Sequence, residues 1–537
     1  MKNILLVEPG YKNKYPPLSL MKISTYHKQK GDNVKFVKGI CNDILEKIWD
    51  RVYITTLFTF DFDITVKTIR HYKYATNSTD NIFVGGILAS LMPNELREAT
   101  DISNIVVGQL VTSKLLGYED EINIDELSLD YDILDALDYK YPVGDNYFGY
   151  TTRGCPNKCS FCAVPTLEPE FKTTNNIYEH VMAINDVFGV KKDLLLLDNN
   201  ILYSPDLEKI VSDIKKAGFS KEPSFTKVTP YESALRKVNR RALFDKEVEE
   251  LTMWLHAFEA KIKNDGLKII YSKAIDRIDK STDKNKTLIE VQGDLNPIID
   301  KYKSKSKSKR YVDFNQGIDA RLLTEDRMRI LSEIPVKPLR IAFDSEKDRE
   351  VYEKAVRLAH KYGIKEISNY MLYNFYDKPE ELWTRLRLNQ DLKDELGIDT
   401  FSFPMKYIPV THINRDYIGP HWNKKFIRAI QAVLLVKRGI VSSYKTFFEK
   451  AFGRTMEEYL EIMMMPEDFI IYRSHFEQNG LAFEWLELYR SLSSKEKSDL
   501  LEVIKFNKVD IGVLFSERTE RVNKILEYYT IRHPGRG

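Results

Sequence analysis

Four cysteines among 537 residues are too few for a disulfide scaffold in a chain of this length. No apolar run approaches the roughly 18 residues of a membrane span, and the opening Met1–Val7 is too short for the core of a signal peptide. The formal net charge is only +2, so no global field points to a nucleic acid or a membrane. Any such role has to rest on local clusters. No solenoid-type repeat is present. These absences predict a cytoplasmic protein with no membrane partner. What is there is an ordinary globular balance, 43 % apolar and 30 % charged, and enough chain for three or four domains.

The pattern along the chain predicts an α/β fold. Short apolar strands at Lys2–Val7, Asn33–Lys38, Arg51–Thr59, Asn81–Gly85 and Asn104–Val107 alternate with helical stretches such as Leu18–Lys30. Alternation of this kind implies parallel βαβ units, hence a Rossmann-like, doubly wound domain over 1–125. Residues 111–145 are acidic and aperiodic and read as a linker. A second series spans 140–412, with strands at Tyr147–Thr152, Asp193–Leu197, Tyr311–Asn315, Leu339–Phe343, Glu366–Leu372 and Phe401–Ile408. Helices fit between most of them, which predicts a partial (β/α)6 barrel. It is interrupted at about 220–310 by a helical insertion, where Val248, Leu251, Leu255, Phe258 and Ile262 mark one amphipathic face. The Lys/Ser run 301–310 reads as a mobile, self-repelling loop. Residues 413–537 read as an α-helical domain, with apolar positions such as Phe426, Ile430, Val433 and Leu434.

Three of the four cysteines fall in Arg153-Gly154-Cys155-Pro156-Asn157-Lys158-Cys159-Ser160-Phe161-Cys162. Gly, Pro and Asn after a strand make a loop, and one loop then supplies three thiolates. Thiolates are the preferred ligands of iron in a cubane [4Fe–4S] cluster. Three of them leave one iron open, able to chelate the amino and carboxylate groups of an amino acid such as S-adenosylmethionine (SAM). Structural zinc fits less well, since it wants four ligands and no nearby Cys or His completes the set. His180 lies 18 residues beyond Cys162, on a predicted helix. A redox device or buried core thiols are the remaining readings.

This loop resembles the signature of the radical SAM superfamily, Cys-x3-Cys-x-aromatic-Cys after the first barrel strand. The resemblance covers about half the chain, and it implies that Cys155, Cys159 and Cys162 hold the cluster, with Phe161 near the adenine. It also implies cleavage of SAM to methionine and a 5′-deoxyadenosyl radical, which takes a hydrogen atom from substrate. The family's Gly-Gly-Glu-like contact to the SAM amino group is replaced here by Leu197-Asp198-Asn199-Asn200. Asp198 and Asn199 could still accept hydrogen bonds from an ammonium group, or could cap the helix near Pro205. Asp313-Phe314-Asn315-Gln316-Gly317-Ile318-Asp319-Ala320-Arg321 looks like a run found in several radical SAM proteins, which makes Gln316, Asp319 and Arg321 candidate SAM contacts; an ordinary strand-to-helix loop is the alternative. Arg340, Asp344, Ser345, Asn369, Tyr370 and Tyr373 sit on or beside the next two strands. Strand alternation turns only half of such residues inward.

The N-terminal domain resembles the cobalamin-binding subgroup. Thr55-Thr56-Leu57 stands at its Ser-x-Leu element, and 27 residues separate it from Gly85-Gly86. The Asp-x-His-x-x-Gly element counts back to Glu8-Pro9-Gly10-Tyr11-Lys12-Asn13, where Gly10 replaces the histidine. Thr55, Leu57, Gly85 and Gly86 are thus candidate cobalamin contacts, although paired glycines after a strand also suit a plain tight turn. His27 reads as helix surface and Cys41 as a loop or core thiol. The 301–310 run and Lys424–Lys450, with Phe426, Tyr444, Phe447 and Phe448 interleaved, are basic; a polymer substrate would use such a surface, and a solvated helix face is the plainer meaning. Met463-Met464-Met465 reads as packing.

The expectation is a radical SAM enzyme, in one version transferring a methyl group with cobalamin. A cobalamin-free enzyme carrying out rearrangement, cyclisation or thiolation is the alternative, and a non-catalytic iron–sulfur regulator is a third reading. The resemblance implies an electron donor such as flavodoxin or ferredoxin. Its substrate would be a small molecule or a modified polymer, nucleic acid not excluded.

Overall fold

The computed structural model describes residues 1–174, 176–436, 438–442, 444–507 and 519–535. The protein is mixed α/β, with parallel sheets and many helices. It divides into two units, Met1–Asn315 with Glu333–Val336, and Gln316–Ser332 with Lys337–Gly537.

The first unit opens with a five-stranded, all-parallel sheet of β1 (Asn3–Glu8), β2 (Asn33–Lys38), β3 (Arg51–Thr56), β4 (Ile82–Gly86) and β5 (Ile105–Val106), in the order β2-β1-β3-β4-β5. Ile4, Leu5, Leu6 and Val7 of β1 are all fully buried, because a central parallel strand is covered on both faces. The strand order reverses between β1 and β3, and their carboxyl ends flank the place where such sheets leave a crevice.

Two expectations for this unit are overturned. His27 is not on the helix surface but fully buried, with Nδ1 2.9 Å from Asp32 and Nε2 3.0 Å from the Tyr53 hydroxyl. Burial lowers its pKa. The acidic 111–145 segment is not a linker. Leu116, Ile124, Leu129 and Ile133 are buried, and its carboxylates are spent on distant cations: Asp120 on Lys30, Asp125 on Lys22 and Arg153, Asp130 on Lys28, Asp132 on Arg240 and Asp135 on Arg241. A strap neutralised in this way packs like any other chain.

The second sheet of this unit begins with β6 (Tyr147–Gly149). A two-residue pair, β7 (Thr152–Arg153) with β8 (Lys172–Thr173), follows before β9 (Leu194–Leu196). The insertion then holds β10 (Phe225–Thr226), five helices from Pro230–Val238 to Gln292–Tyr302, and β11 (Lys307–Ser308), antiparallel to β10. Those helices close their own core around Leu255, Phe258, Tyr271, Ile278 and Leu295, more than the single amphipathic face predicts. The 301–310 run is not a free loop. Part of it is β11, and Arg310 is buried, donating to the carbonyls of Lys191 and Lys192 at 3.0 and 2.9 Å. β12 (Val312–Phe314) then completes a parallel sheet in the order β12-β9-β6.

The second unit contains β13 (Leu339–Ala342), β14 (Glu366–Tyr373) and β15 (Asp399–Lys406), all parallel. Helices Arg349–Lys361 and Pro379–Leu396 make the connections. The C-terminal segment is almost all helical, as its pattern predicts, but β16 (Val441–Ser442) adds an antiparallel edge to β15. Met463, Met464 and Met465 are buried packing. Lys425, expected on a basic surface, is 1 % exposed and donates to the carbonyls of Met463 and Met465 at 2.9 and 2.6 Å. Burial pulls its ammonium down to about 7. The unfolded chain therefore binds more protons above that pH, and this group makes stability rise with pH. The gap between wild type and Lys425→Met in urea unfolding is expected to widen in favour of the wild type by about 2 kcal/mol from pH 7 to 9. A constant gap would contradict this.

No described helix is long and apolar enough to cross a membrane.

Candidate metal centre

The cysteine loop is held at its stem. β6 ends at Gly149, and the antiparallel β7–β8 pair then closes residues 154–171 into one excursion, in the register Thr152↔Thr173 and Arg153↔Lys172. Gly154 turns into it at φ +73°, where a Cβ would stand 2.1 Å from the Glu170 carbonyl oxygen. Only glycine fits there. Cys155, Cys159 and Cys162 are all half-exposed on this loop, and none forms a disulfide. The Cys162 amide donates to the Cys159 carbonyl at 3.0 Å, and the Val164 amide reaches Cys162 Sγ at 3.4 Å. Phe161 lies half-buried between two of the cysteines.

The residues after β9 brace this loop. Asn200 is buried and its Nδ2 reaches Cys155 Sγ at 3.6 Å, while its Oδ1 finds no partner among the described residues. A donor on sulfur favours the thiolate. Asp198, 3 % exposed, accepts four hydrogen bonds on Oδ1, from the amides and hydroxyls of Thr151 and Thr152, at 2.5–2.9 Å. Its Oδ2 is buried and unpartnered, and burial raises its pKa. Asp198 therefore ties the end of β9 to the strand before the cysteines, and it does not cap a helix. Asn199 donates to Glu168 Oε2 at 2.7 Å, the oxygen that also accepts from the Gly154 amide at 2.7 Å.

Glu168 is held in turn by Arg153, whose Nη1 lies 2.9 Å from Oε1 and whose Nη2 lies 2.7 Å from Asp125. Asp125 pairs with Lys22 at 2.9 Å. Sequence reasoning singled out none of Lys22, Asp125, Arg153, Glu168 or Asn200 as site residues. The signal within reach was local: Arg153 adjoins the loop, and Asn200 adjoins Asp198 and Asn199. His180 gives its Nε2 to the Phe148 carbonyl at 2.8 Å, a use that accounts for its place beside β6.

The donor set fits a cluster. Among the described residues no three His, Cys, Asp or Glu converge on a single ion. A cubane makes a different demand, since each thiolate binds its own iron and the sulfurs stand apart around its corners. Three half-exposed thiols on one loop, with a buried amide at the first, are the donor chemistry such a cluster takes.

Gln316, Asp319 and Arg321 belong to the second unit. Gln316 is exposed, and Asp319 and Arg321 are paired side by side, with Arg321 Nε 2.8 Å from Asp319 Oδ1. Asp319 also caps the turn Ala320–Leu322. In the same unit Arg340 donates to Ser368 at 3.2 Å and lies over the rings of Tyr370 and Phe403, so these share one face of the sheet. Asn369 and Tyr373 lie on the other, where Asn369 Nδ2 donates to the Tyr352 hydroxyl at 2.9 Å.

Thr55, Gly85 and Gly86 line a cavity of about 230 Å³ at the carboxyl ends of β3 and β4; Leu57 is not on its wall. Gly86 has φ +110°, and a Cβ there would stand 2.2 Å from the Thr56 carbonyl oxygen, so close packing alone demands that glycine. At Gly10 no imidazole is offered, and the adjoining Tyr11 is buried with its hydroxyl 2.5 Å from Thr65. Pockets for drug-sized ligands run to roughly 300–1,000 Å³, and a corrin with its tail needs more. The cavity as it stands is smaller than a corrin, and Gly10 offers no lower ligand to a cobalt.

No protein-family model matches the chain, and no curated protein matches its sequence.

Proposed function

We propose that this chain is a cobalamin-free radical SAM enzyme whose Cys155, Cys159 and Cys162 hold a [4Fe–4S] cluster. The observation that carries the reading is the trio of half-exposed, unbridged thiols on one loop, rooted by the β7–β8 stem just after a parallel strand. When bound, such a cluster supplies the electron that cleaves the carbon–sulfur bond of SAM. The chain's own residues do the positioning. Gly154 lets the loop turn, Glu168 fixes both the Gly154 amide and Asn199, and Asn200 favours negative charge on Cys155 sulfur. Phe161 is the adenine neighbour that the resemblance implies. The resemblance implies a partial (β/α)6 barrel for such an enzyme, preceded by a Rossmann-like domain. Gln316, Asp319 and Arg321 are its further SAM contacts. Flavodoxin or ferredoxin would supply electrons in the cytoplasm.

One observation favours a non-catalytic iron–sulfur regulator instead. By the resemblance Asp198 and Asn199 stand where the SAM amino group would be met, but Asp198 spends Oδ1 within the chain and keeps Oδ2 buried, and Asn199 donates to Glu168. Anaerobic reconstitution with iron and sulfide, followed by dithionite and SAM, separates the two. Release of 5′-deoxyadenosine supports the enzyme. An intact cluster with no SAM cleavage leaves the regulator, and zinc or no metal at all rejects both.

A further inference from the structure

Strands β3, β4 and β5 set Thr55, Gly85 and Val106 side by side in register, so the three share one face of the sheet at its carboxyl edge. Two residues back on the same face stand Tyr53 and Phe83, with ring centroids 5.6 Å apart. Neither backbone nor packing asks for glycine in the middle of that row. Gly85 lies outside the left-handed region, and a Cβ there would meet nothing nearer than Val106 at 3.7 Å, an ordinary contact. A glycine inside a strand costs about 0.5–1 kcal/mol relative to alanine, and it suits a place where another group comes close to the backbone. At position 85 the row is dented, and the cavity of about 230 Å³ borders that dent.

The other walls come from Leu20 and Ile23 of helix Leu18–Gln29 and from Leu167 and Glu168 of the cysteine loop. Ser19 and Gly108, both exposed, open the cavity to solvent. Its charged groups are matched among themselves, Lys22 with Asp125, and Arg153 with Asp125 and Glu168. A charged ligand would bring an unmatched charge to cations already spent. The neutral polar groups are not spent. The Thr55 hydroxyl and the Gln109 amide make no hydrogen bond among the described residues, and Arg153, 7 % exposed, keeps a buried Nε without a partner there. Aromatic and apolar walls, free neutral donors and acceptors, and a dent where a flat face can lie on the strand describe an uncharged heterocycle. The volume falls below the roughly 300 Å³ where pockets for drug-sized ligands begin, which leaves room for one fused ring with its substituent toward the mouth. An acyl chain would leave Thr55 and Gln109 unanswered, and a phosphate would find no free cation.

We propose that this cavity binds a neutral purine nucleoside or its base, with the ring over Gly85 and the polar edge met by Thr55 and Gln109. The inference does not rest on the cysteines holding a cluster. Isothermal titration calorimetry of the full chain with adenosine, guanosine and adenine tests it. At least one should bind, with an affinity that changes less than about twofold between roughly 50 and 300 mM salt, because the ligand carries no charge to be screened. Gly85→Val puts two methyl groups into the dent and should weaken binding at least about tenfold. Its melting temperature should match or exceed that of the wild type, since valine suits a strand. Gln109→Ala, on a half-buried side chain, should weaken binding about fivefold, the worth of one hydrogen bond. Adenosine is also part of SAM, so Gly85→Val locates the binding: an affinity that survives the substitution belongs to a site elsewhere, such as one beside Phe161. The proposal is overturned by that survival, by no binding of any of the three, by AMP binding more than about tenfold tighter than adenosine, or by octanoate displacing the bound ligand.

Discussion

Replacing Cys155, Cys159 and Cys162 together with alanine is expected to abolish iron binding and 5′-deoxyadenosine release while leaving the chain folded. The two halves of that expectation have separate causes. Each sulfur is half-exposed and outside the hydrophobic cores, so losing it removes little buried area, about 1 kcal/mol or less per site. The loop keeps its shape through groups the substitutions do not touch: the β7–β8 stem, the Gly154 turn, and the Glu168 carboxylate on the Gly154 amide. The cluster has no such reserve, since each thiolate would hold a different iron. Any one of the single variants should therefore lose most of the activity that the triple variant loses, a non-additivity typical of groups acting as a unit. Iron and sulfide content, melting temperature and product release, measured on the same preparations, check it. A triple variant that still cleaves SAM, or a loss traced to unfolding, would contradict the proposed role of the loop.

The strands around this loop were legible because period and turn chemistry are local properties. Asn33–Lys38 coincides with its predicted bounds. Most other predicted elements differ by a few residues at their ends, and Arg51–Thr59 stops at Thr56 before a short turn. The failures share one physical origin. Asp125, Asp130 and Asp132 read as a solvated linker because Lys22, Lys28, Arg153 and Arg240, which neutralise them, lie far along the chain. His27 and Lys425 read as surface because polarity suggests water, and no local pattern reveals that Tyr53 or the carbonyls of Met463 and Met465 wait for them. At the candidate site the thiols were legible from spacing alone. The clamp of Arg153, Glu168 and Asn199 was not, since its members come together only when the loop closes onto the residues after β9.

Arg385→Met is expected to destabilise the second unit by about 4 kcal/mol near neutral pH, within the roughly 3–5 kcal/mol seen when one partner of a buried pair is removed. The guanidinium is fully buried. Its Nε donates to the Glu381 carbonyl at 3.0 Å, and Nη1 donates to the carbonyls of Phe343 and Asp344 at 3.0 and 2.9 Å. Nη2 reaches the Asp377 carboxylate at 3.2 Å. Methionine fills much of the volume and satisfies none of these acceptors. Lysine keeps the charge but cannot spread donors over four directions, so Arg385→Lys should recover only part of the loss. The neighbouring carboxyls give the effect a pH signature. Burial pushes Asp344 up to about 6 and raises Asp377 as well, against the lowering pull of Arg385 on both. A carboxyl raised in this way binds more protons folded than unfolded, so its stabilising contribution is complete below about pH 4 and fades as pH rises through its folded pKa. Without Arg385 both values climb further and the fading extends to higher pH. The penalty for Arg385→Met should thus be larger at pH 7.5 than at pH 5, where protonation removes the uncompensated charge. Asp344→Asn keeps an acceptor for the Leu372 amide, which now lies 3.2 Å from Oδ1. Adding it to Arg385→Met should restore part of the stability at pH 7.5 and little at pH 5. Urea unfolding of the full chain at both pH values measures this, and a penalty independent of pH would show that lost hydrogen bonds, rather than stranded carboxylates, set the cost.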